Sequence, residues 1–246
     1  MCSTNVKLLN LSHNWLVSIA PNSFIKFPYL RKLSLNNNLL YSIDSKLFDG
    51  LVSLKSLSLH KNQITHIADD VFSELSELRF LRLFNNKLFN LSENLFKALV
   101  KLKRLNLRNN NIALIPPYLF KDLKKLTYLD LRVNQIHSLN SRMFAGLKSL
   151  QNLRLHDNLL ELISTGTFIK LTALTHLDLS GNLITKIESQ AFSDSFNFSV
   201  LKLTLYWNFL CCSRAHYQNN LTYFGNVCTH DNKIVFYENI PLEDCA

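Results

Sequence analysis

Glycine and proline are scarce in this chain, and so are the motifs that depend on them. Only five glycines and five prolines occur among the 246 residues. The sequence contains no glycine-rich phosphate loop, no H-E-x-x-H zinc motif and no G-x-S-x-G nucleophile motif. We therefore expect no enzyme activity, no metal site and no cofactor.

Long apolar runs and export signals are also missing. No stretch is long enough to cross a bilayer, although 47% of the residues are hydrophobic and can supply a continuous core. The first apolar pattern begins at Val6, with no signal peptide before it. Because the end of a repeat stack needs a polar cover, we expect a fragment whose N-terminal cap and signal peptide are absent from this chain.

Two residue types recur every 24 residues without an insertion or deletion across eight units. The asparagines of this series are Asn14, Asn38, Asn62, Asn86, Asn110, Asn134, Asn158 and Asn182. The phenylalanines are Phe24, Phe48, Phe72, Phe96, Phe120, Phe144, Phe168 and Phe192. Such regularity is typical of a stack of small structural units that functions through its surface.

Alternating leucines before each asparagine predict a short strand with one buried side, as in Leu81-Arg82-Leu83. We expect the asparagine amide to bind backbone groups of adjacent turns, and the phenylalanines to form an internal column. The eight regular units occupy residues 1–199. A ninth unit has its asparagine at Asn208, two residues later than the period requires, and residues 200–246 form this unit and a terminal cap.

The unit L-x-x-L-x-L-x-x-N-x-L, as in residues 78–88, resembles the leucine-rich repeat. With 24-residue phenylalanine-bearing units and a cysteine-rich end, the chain is similar to Toll-like receptors and variable lymphocyte receptors. The resemblance implies an α/β solenoid: a curved stack with a concave parallel sheet and a disulfide cap. It also implies an extracellular protein, secreted or a cell-surface ectodomain, with a role in innate immunity or adhesion.

Four of the five cysteines follow the repeats: Cys211, Cys212, Cys228 and Cys245. The resemblance implies disulfides Cys211–Cys228 and Cys212–Cys245, although the family usually has one residue between its first two cysteines. The alternative is a zinc site that includes His216 and His230, but their spacing matches no standard zinc motif. Disulfides would indicate an oxidising compartment.

Glycosylation sequons provide a second extracellular feature. We predict glycans at Asn90, Asn197 and Asn220, each of which begins an Asn-x-Ser/Thr sequence. The sequon at Asn10 lies on the strand face, where we expect an unmodified side chain.

The side chains between the inward leucines should face solvent on the concave sheet. In the middle repeats these are rich in aromatic residues and arginine, the types that dominate binding hot spots. The predicted ligand-binding residues are Phe80, Arg82, Phe84, Arg104, Arg108, Tyr128, Asp130, Arg132, Arg154 and His156. Exposed phenylalanines on a strand are not required by the fold.

We interpret the chain as a recognition module that binds a protein ligand on the concave face. The alternative is a sensor of polyanions or nucleic acids, since the net charge is +9 and the central strands are rich in arginine. No recognised nucleic-acid motif occurs. His176 and Asp178 lack a nucleophile, so we expect a solvated pair rather than a catalytic one.

Overall fold

The computed structural model describes residues 5–188, 190–192 and 201–209, and the backbone of strands at 221–224, 227–230 and 233–234. Of the cap cysteines, only the backbone of Cys228 falls within these ranges. The predicted disulfides and the predicted glycans at Asn197 and Asn220 therefore lie outside the described residues.

The architecture is a β-solenoid built on one nine-stranded parallel sheet. The sheet order is β1-β2-β4-β6-β7-β8-β9-β11-β13, with one strand from each turn of the chain. These strands are β1 (Leu8–Asn10), β2 (Lys32–Ser34), β4 (Ser56–Ser58), β6 (Phe80–Arg82), β7 (Arg104–Asn106), β8 (Tyr128–Asp130), β9 (Asn152–Arg154), β11 (His176–Asp178) and β13 (Lys202–Thr204).

Smaller sheets flank the stack. Two parallel pairs follow the main strands: β3 (Ser42–Ile43) with β5 (His66–Ile67), and β10 (Leu162–Ile163) with β12 (Lys186–Ile187). Near the C-terminus, β14 (Leu221–Phe224), β15 (Val227–His230) and β16 (Lys233–Ile234) form an antiparallel sheet.

The return segments consist of turns within the part of the chain that the structure describes, and no α-helix forms there. The repeat stack with a parallel sheet is as predicted, but the expected helical component is not seen in these segments. No helix in the same part has the length and hydrophobicity that a membrane crossing requires.

Strand register follows the sequence period. Leu81 of β6 pairs with Leu105 of β7, and Leu105 pairs with Leu129 of β8, in each case 24 residues apart. These leucines are buried, as the alternation predicted. The ninth strand also keeps register, because Leu177 pairs with Leu203 despite the two extra residues between them.

The conserved-period phenylalanines form the predicted internal column. They are buried, and the measured neighbouring rings have centroids 5.1 to 6.3 Å apart. At this separation each aromatic ring contacts the ring of the next turn. The column therefore supports the side of the stack opposite the sheet.

Each buried asparagine joins its own turn to the preceding one. The Oδ1 of Asn110 accepts the Leu88 N–H at 3.1 Å, and its Nδ2 donates to the carbonyls of Leu83 and Leu107 at 3.1 and 2.8 Å. Asn134 makes the equivalent bonds one turn later. The side-chain amide thus satisfies backbone groups that the tight turn leaves without partners.

The residue before each asparagine adopts a left-handed backbone conformation. Asn85 and Asn109 tolerate this conformation well, and their φ angles are 55° and 51°. Val133 occupies the equivalent position with a φ of 55°. A β-branched residue is strained there, so the stack enforces this turn geometry even where the side chain opposes it.

Replacing Asn110 with alanine should lower the free energy of unfolding by about 3 kcal/mol, because three backbone groups lose their partner in a buried site. Urea unfolding measures the change. The matched control is Asn111→Ala, an exposed neighbour that should change stability by less than about 0.5 kcal/mol. Equal losses in the two variants would contradict the structural role of the amide.

Replacing Val133 with asparagine should raise the free energy of unfolding by about 1 kcal/mol, because asparagine relieves left-handed strain. The control is Val100→Asn, which changes an exposed valine outside the left-handed positions. Urea unfolding of both variants is the measurement. A loss of stability in Val133→Asn would show that valine contributes more through packing than it costs in strain.

Candidate functional site

The ten predicted ligand-binding residues lie together on four adjacent strands, and we call this set the concave patch. Phe80, Arg104 and Tyr128 form one row across the strands. A second row contains Arg82, Asp130 and Arg154, with Asn106 between the first two. Backbone bonds place Phe84, Arg108, Arg132 and His156 in a third row, just beyond the strand ends.

Tyr128 lies at the centre of this patch, between two arginines. The guanidinium carbon of Arg104 is 5.6 Å from the ring centroid, and that of Arg154 is 5.5 Å from it. The two arginines come from the strands on either side of Tyr128, and both distances are within cation–π range. The tyrosine ring therefore holds two positive charges in defined positions.

Asp130 is buried beneath this layer rather than offered to a ligand. Its side chain has no solvent exposure, and its Oδ2 accepts a hydrogen bond from the Tyr128 hydroxyl at 3.2 Å. The same oxygen lies 3.2 Å from Nε of Arg132. Asp130 was predicted as a ligand contact, but its geometry suits the orientation of Tyr128 and Arg132.

The hydroxyl of Tyr128 is held in its protonated form. Burial raises its pKa above the usual value of 10.0, and the negative charge of Asp130 raises it further. Arg154 and Arg132 act in the opposite direction. The phenol is therefore a hydrogen-bond donor at neutral pH, and its bond to Asp130 keeps the ring in place.

The two phenylalanines are less exposed than the sequence predicted. Phe80 and Phe84 are both partly buried. Phe84 stacks on His60 of the preceding turn, with centroids 4.2 Å apart and an angle of 14° between the rings. Sequence reasoning missed this contact, although the 24-residue spacing between His60 and Phe84 is the signal that could have found it.

His60 is uncharged in this environment. Its pKa falls from 6.5 to about 4 because burial disfavours the charged ring, with smaller effects from Arg82, Lys61 and His13. Its Nδ1 has no hydrogen-bond partner among the described residues. A neutral imidazole can therefore lie flat against Phe84 without bringing another charge to the patch.

Four arginines of the patch have no carboxylate partner within the described residues: Arg82, Arg104, Arg108 and Arg154. Arg82 makes two long contacts, at 3.4 Å, to the hydroxyls of Ser56 and Ser58. Arg104 and Arg108 are exposed. The patch thus carries uncompensated positive charge and favours an anionic partner.

His156 belongs to a polar group at one side of the patch. Its Nδ1 lies 2.8 Å from Oδ2 of Asp178, and the Ser180 hydroxyl donates to Oδ1 of Asp178 at 2.6 Å. The serine contacts the carboxylate rather than the imidazole, so no base is placed to activate it. No group of three potential metal ligands occurs among the described side chains.

The family comparison matches most of the stack. The leucine-rich repeat model matches residues 28–88, 100–160 and 148–204. A comparison with curated protein sequences finds no match.

Two solved structures resemble this fold. The crystal structure of the TLR13–ssRNA13 complex has a TM-score of 0.60 and 27% identity, over 85% of this chain and 26% of that one. An internalin, InlF from Listeria monocytogenes str. 4b F2365, has a TM-score of 0.67 and 24% identity, over 84% of this chain and 56% of that one. The chain therefore spans about a quarter and just over half of their respective lengths.

Lowering the pH from 7 to 5 should destabilise the wild type more than His60→Gln. The unfolded histidine takes up its proton near pH 6.5 and the folded one near 4, so stability falls as the pH drops through that window. We expect a difference of about 1 kcal/mol, allowing for solvent screening of a partly exposed ring.

Urea unfolding at both pH values measures this effect. The control is His66→Gln, which removes an exposed histidine and should retain the wild-type pH dependence. Equal pH dependence in the wild type and His60→Gln would show that His60 titrates as an ordinary histidine.

Proposed function

Because this chain belongs to the leucine-rich repeat family, whose fold generally serves as a scaffold for binding proteins or nucleic acids, we propose that it is a non-enzymatic module that recognises a protein ligand. The observation that carries this proposal is the pair of arginines, Arg104 and Arg154, held on the ring of Tyr128. The concave patch is the binding surface.

Arginines stacked in this way suit carboxylate recognition. The ring covers part of each guanidinium, while the N–H groups at the guanidinium edge can still donate to an incoming carboxylate. Since the ring restricts both side chains before binding, less conformational entropy is lost when the ligand arrives. An acidic protein surface with two or more carboxylates is therefore the partner that fits best.

The buried Asp130 contributes specificity to this arrangement. It neutralises Arg132 and restrains the Tyr128 hydroxyl, so the charge offered to a ligand is concentrated on Arg82, Arg104, Arg108 and Arg154. An anionic surface would gain charge-assisted hydrogen bonds there, whereas a basic one would meet uncompensated repulsion.

Single-stranded RNA is a second candidate. It is favoured by the 27% identity to a protein solved in complex with ssRNA13, together with the unpaired arginines. RNA recognition, however, commonly stacks bases on free aromatic faces. Here the ring of Tyr128 is occupied by two guanidinium groups and Phe84 by His60, so we rank a protein ligand first.

The extracellular setting is part of the same proposal, as a portion of a receptor ectodomain or of a secreted immune or adhesion protein. Asn90 is exposed and begins a sequon, as a glycosylated asparagine must. The cap disulfides Cys211–Cys228 and Cys212–Cys245 would form in the same oxidising compartment.

Replacing both Arg104 and Arg154 with alanine should weaken ligand binding about a hundredfold, because each loses a charge-assisted interaction worth roughly 1.5 kcal/mol or more. Immobilised wild-type chain captures ligands from the extracellular fluid and cell-surface proteins of the source organism. Each captured protein is identified and purified, and its affinity for the wild type and the variant is measured at physiological and high salt.

The matched control is Arg142→Ala/Lys170→Ala, which removes two exposed positive charges from the return segments. A control that loses as much affinity as the patch variant would contradict the assignment of the site. Capture of RNA alone, with a slope of log K against log salt near about −3 for four arginine contacts, would favour the second candidate.

A further inference from the structure

Five positively charged residues occupy the same position in five consecutive turns, outside the concave patch. Each immediately precedes a strand of the nine-stranded sheet, and each lies 24 residues from the next. We call them the basic column: Lys7, Arg31, Lys55, Arg79 and Lys103. The equivalent residues of the next three turns are Thr127, Gln151 and Thr175, so the run of charge ends after the fifth turn.

Backbone hydrogen bonds hold the column in register. The Arg31 N–H donates to the Lys7 carbonyl at 2.8 Å, and the same bond of 2.9 Å links Lys55 to Arg31, Arg79 to Lys55, and Lys103 to Arg79. With adjacent strands about 4.8 Å apart, the five residues form a straight row about 19 Å long. Lys7, Arg31 and Lys103 are exposed, and the other two are partly exposed.

The column has little compensating charge. None of its five side chains forms an ion pair within the described part of the chain. The pKa of Glu77 is lowered chiefly by its hydrogen bond to Lys101, and also by Arg79 and Lys55. One carboxylate that is already bound to Lys101 therefore lies near the middle of the row.

Folding gains nothing from this arrangement. Like charges on neighbouring strands repel one another, and neutral residues occupy the same position at Thr127 and Gln151, where the sheet continues in register. Long basic side chains also lose rotamer entropy when a ligand orders them. A row of unpaired cations is therefore better explained by an external anion than by the stability of the stack.

We propose that the basic column binds a linear sulfated polysaccharide that runs across the turns. A sulfated chain carries anions along its length and can follow a straight row of cations in single file. Lysine is a compact point charge that pairs with such groups without strict geometry. This surface is separate from the concave patch, so the two proposals stand or fall independently.

The surroundings of the column favour a glycan over a nucleic acid. Single-stranded nucleic acids bind where successive bases stack on successive aromatic rings. Tyr29 is an exposed aromatic residue near one end of the column, but the equivalent positions in the next three turns hold Ser53, Glu77 and Lys101. The row thus offers repeated charge without repeated stacking surfaces.

The test compares two triple variants that remove equal charge. Lys55→Gln/Arg79→Gln/Lys103→Gln changes the column, and Lys97→Gln/Lys121→Gln/Lys170→Gln changes three lysines of the return segments. Binding of a heparin oligosaccharide is measured over a range of salt concentrations. The column variant should lose at least about tenfold in affinity and show a salt slope shallower by about 2, whereas the return-segment variant should stay within about twofold of the wild type.

Equal losses in both triple variants would overturn the proposal, because general positive charge would then explain binding. Loss in Arg104→Ala/Arg154→Ala with no loss in the column variant would overturn the location. Hyaluronan, which carries carboxylates but no sulfates, and single-stranded and duplex RNA oligonucleotides serve as competitors. Displacement of heparin by RNA at lower concentration than by unlabelled heparin would overturn the ligand class, and weak displacement by hyaluronan is the expected result. Thermal unfolding of each variant verifies that it is folded.

Discussion

The asparagine amide that links one turn to the next is the interaction on which the rest of the structure depends. A chain that turns sharply after every three-residue strand leaves backbone groups without partners inside the stack. Each asparagine satisfies groups on two turns at once, as Asn110 does for Leu83, Leu88 and Leu107. Because these bonds recur at one position, they set the spacing between turns and tolerate no shift in register.

A fixed register turns the sequence period into columns on the surface. Residues 24 apart become neighbours about 4.8 Å apart, whether or not their side chains attract. Attraction explains some neighbours, such as Arg104 beside Tyr128. Other neighbours repel, as Arg31 and Lys55 do in the basic column. The scaffold carries this unfavourable chemistry because its stability comes from the leucine and phenylalanine core, and the surface is therefore free to be specialised for partners.

Conformational restriction is common to the side chains at the centre of the concave patch. Tyr128 is bound to Asp130, Arg132 is paired with the same carboxylate, and Phe84 lies against His60. Such contacts limit the rotamers that these side chains explore before a ligand arrives. The polar groups beside them are positioned by the same means, since Ser180 and His156 both contact Asp178. Rigid presentation of polar groups is consistent with recognition and not with bond-making chemistry.

The 24-residue spacing alone specifies the stacked turns, the parallel strands, the inward leucines and the grouping of the ten patch residues, because each depends only on position within the repeat. The exposure of a patch side chain depends on its neighbours, which a pattern of single positions does not describe. Phe84 is covered because His60 precedes it by one turn, and Asp130 is buried because Tyr128 and Arg132 close over it. Strand propensity and amphipathic period act along the chain, whereas ring stacking, ion pairing and desolvation act across turns and arise only when the turns are packed together.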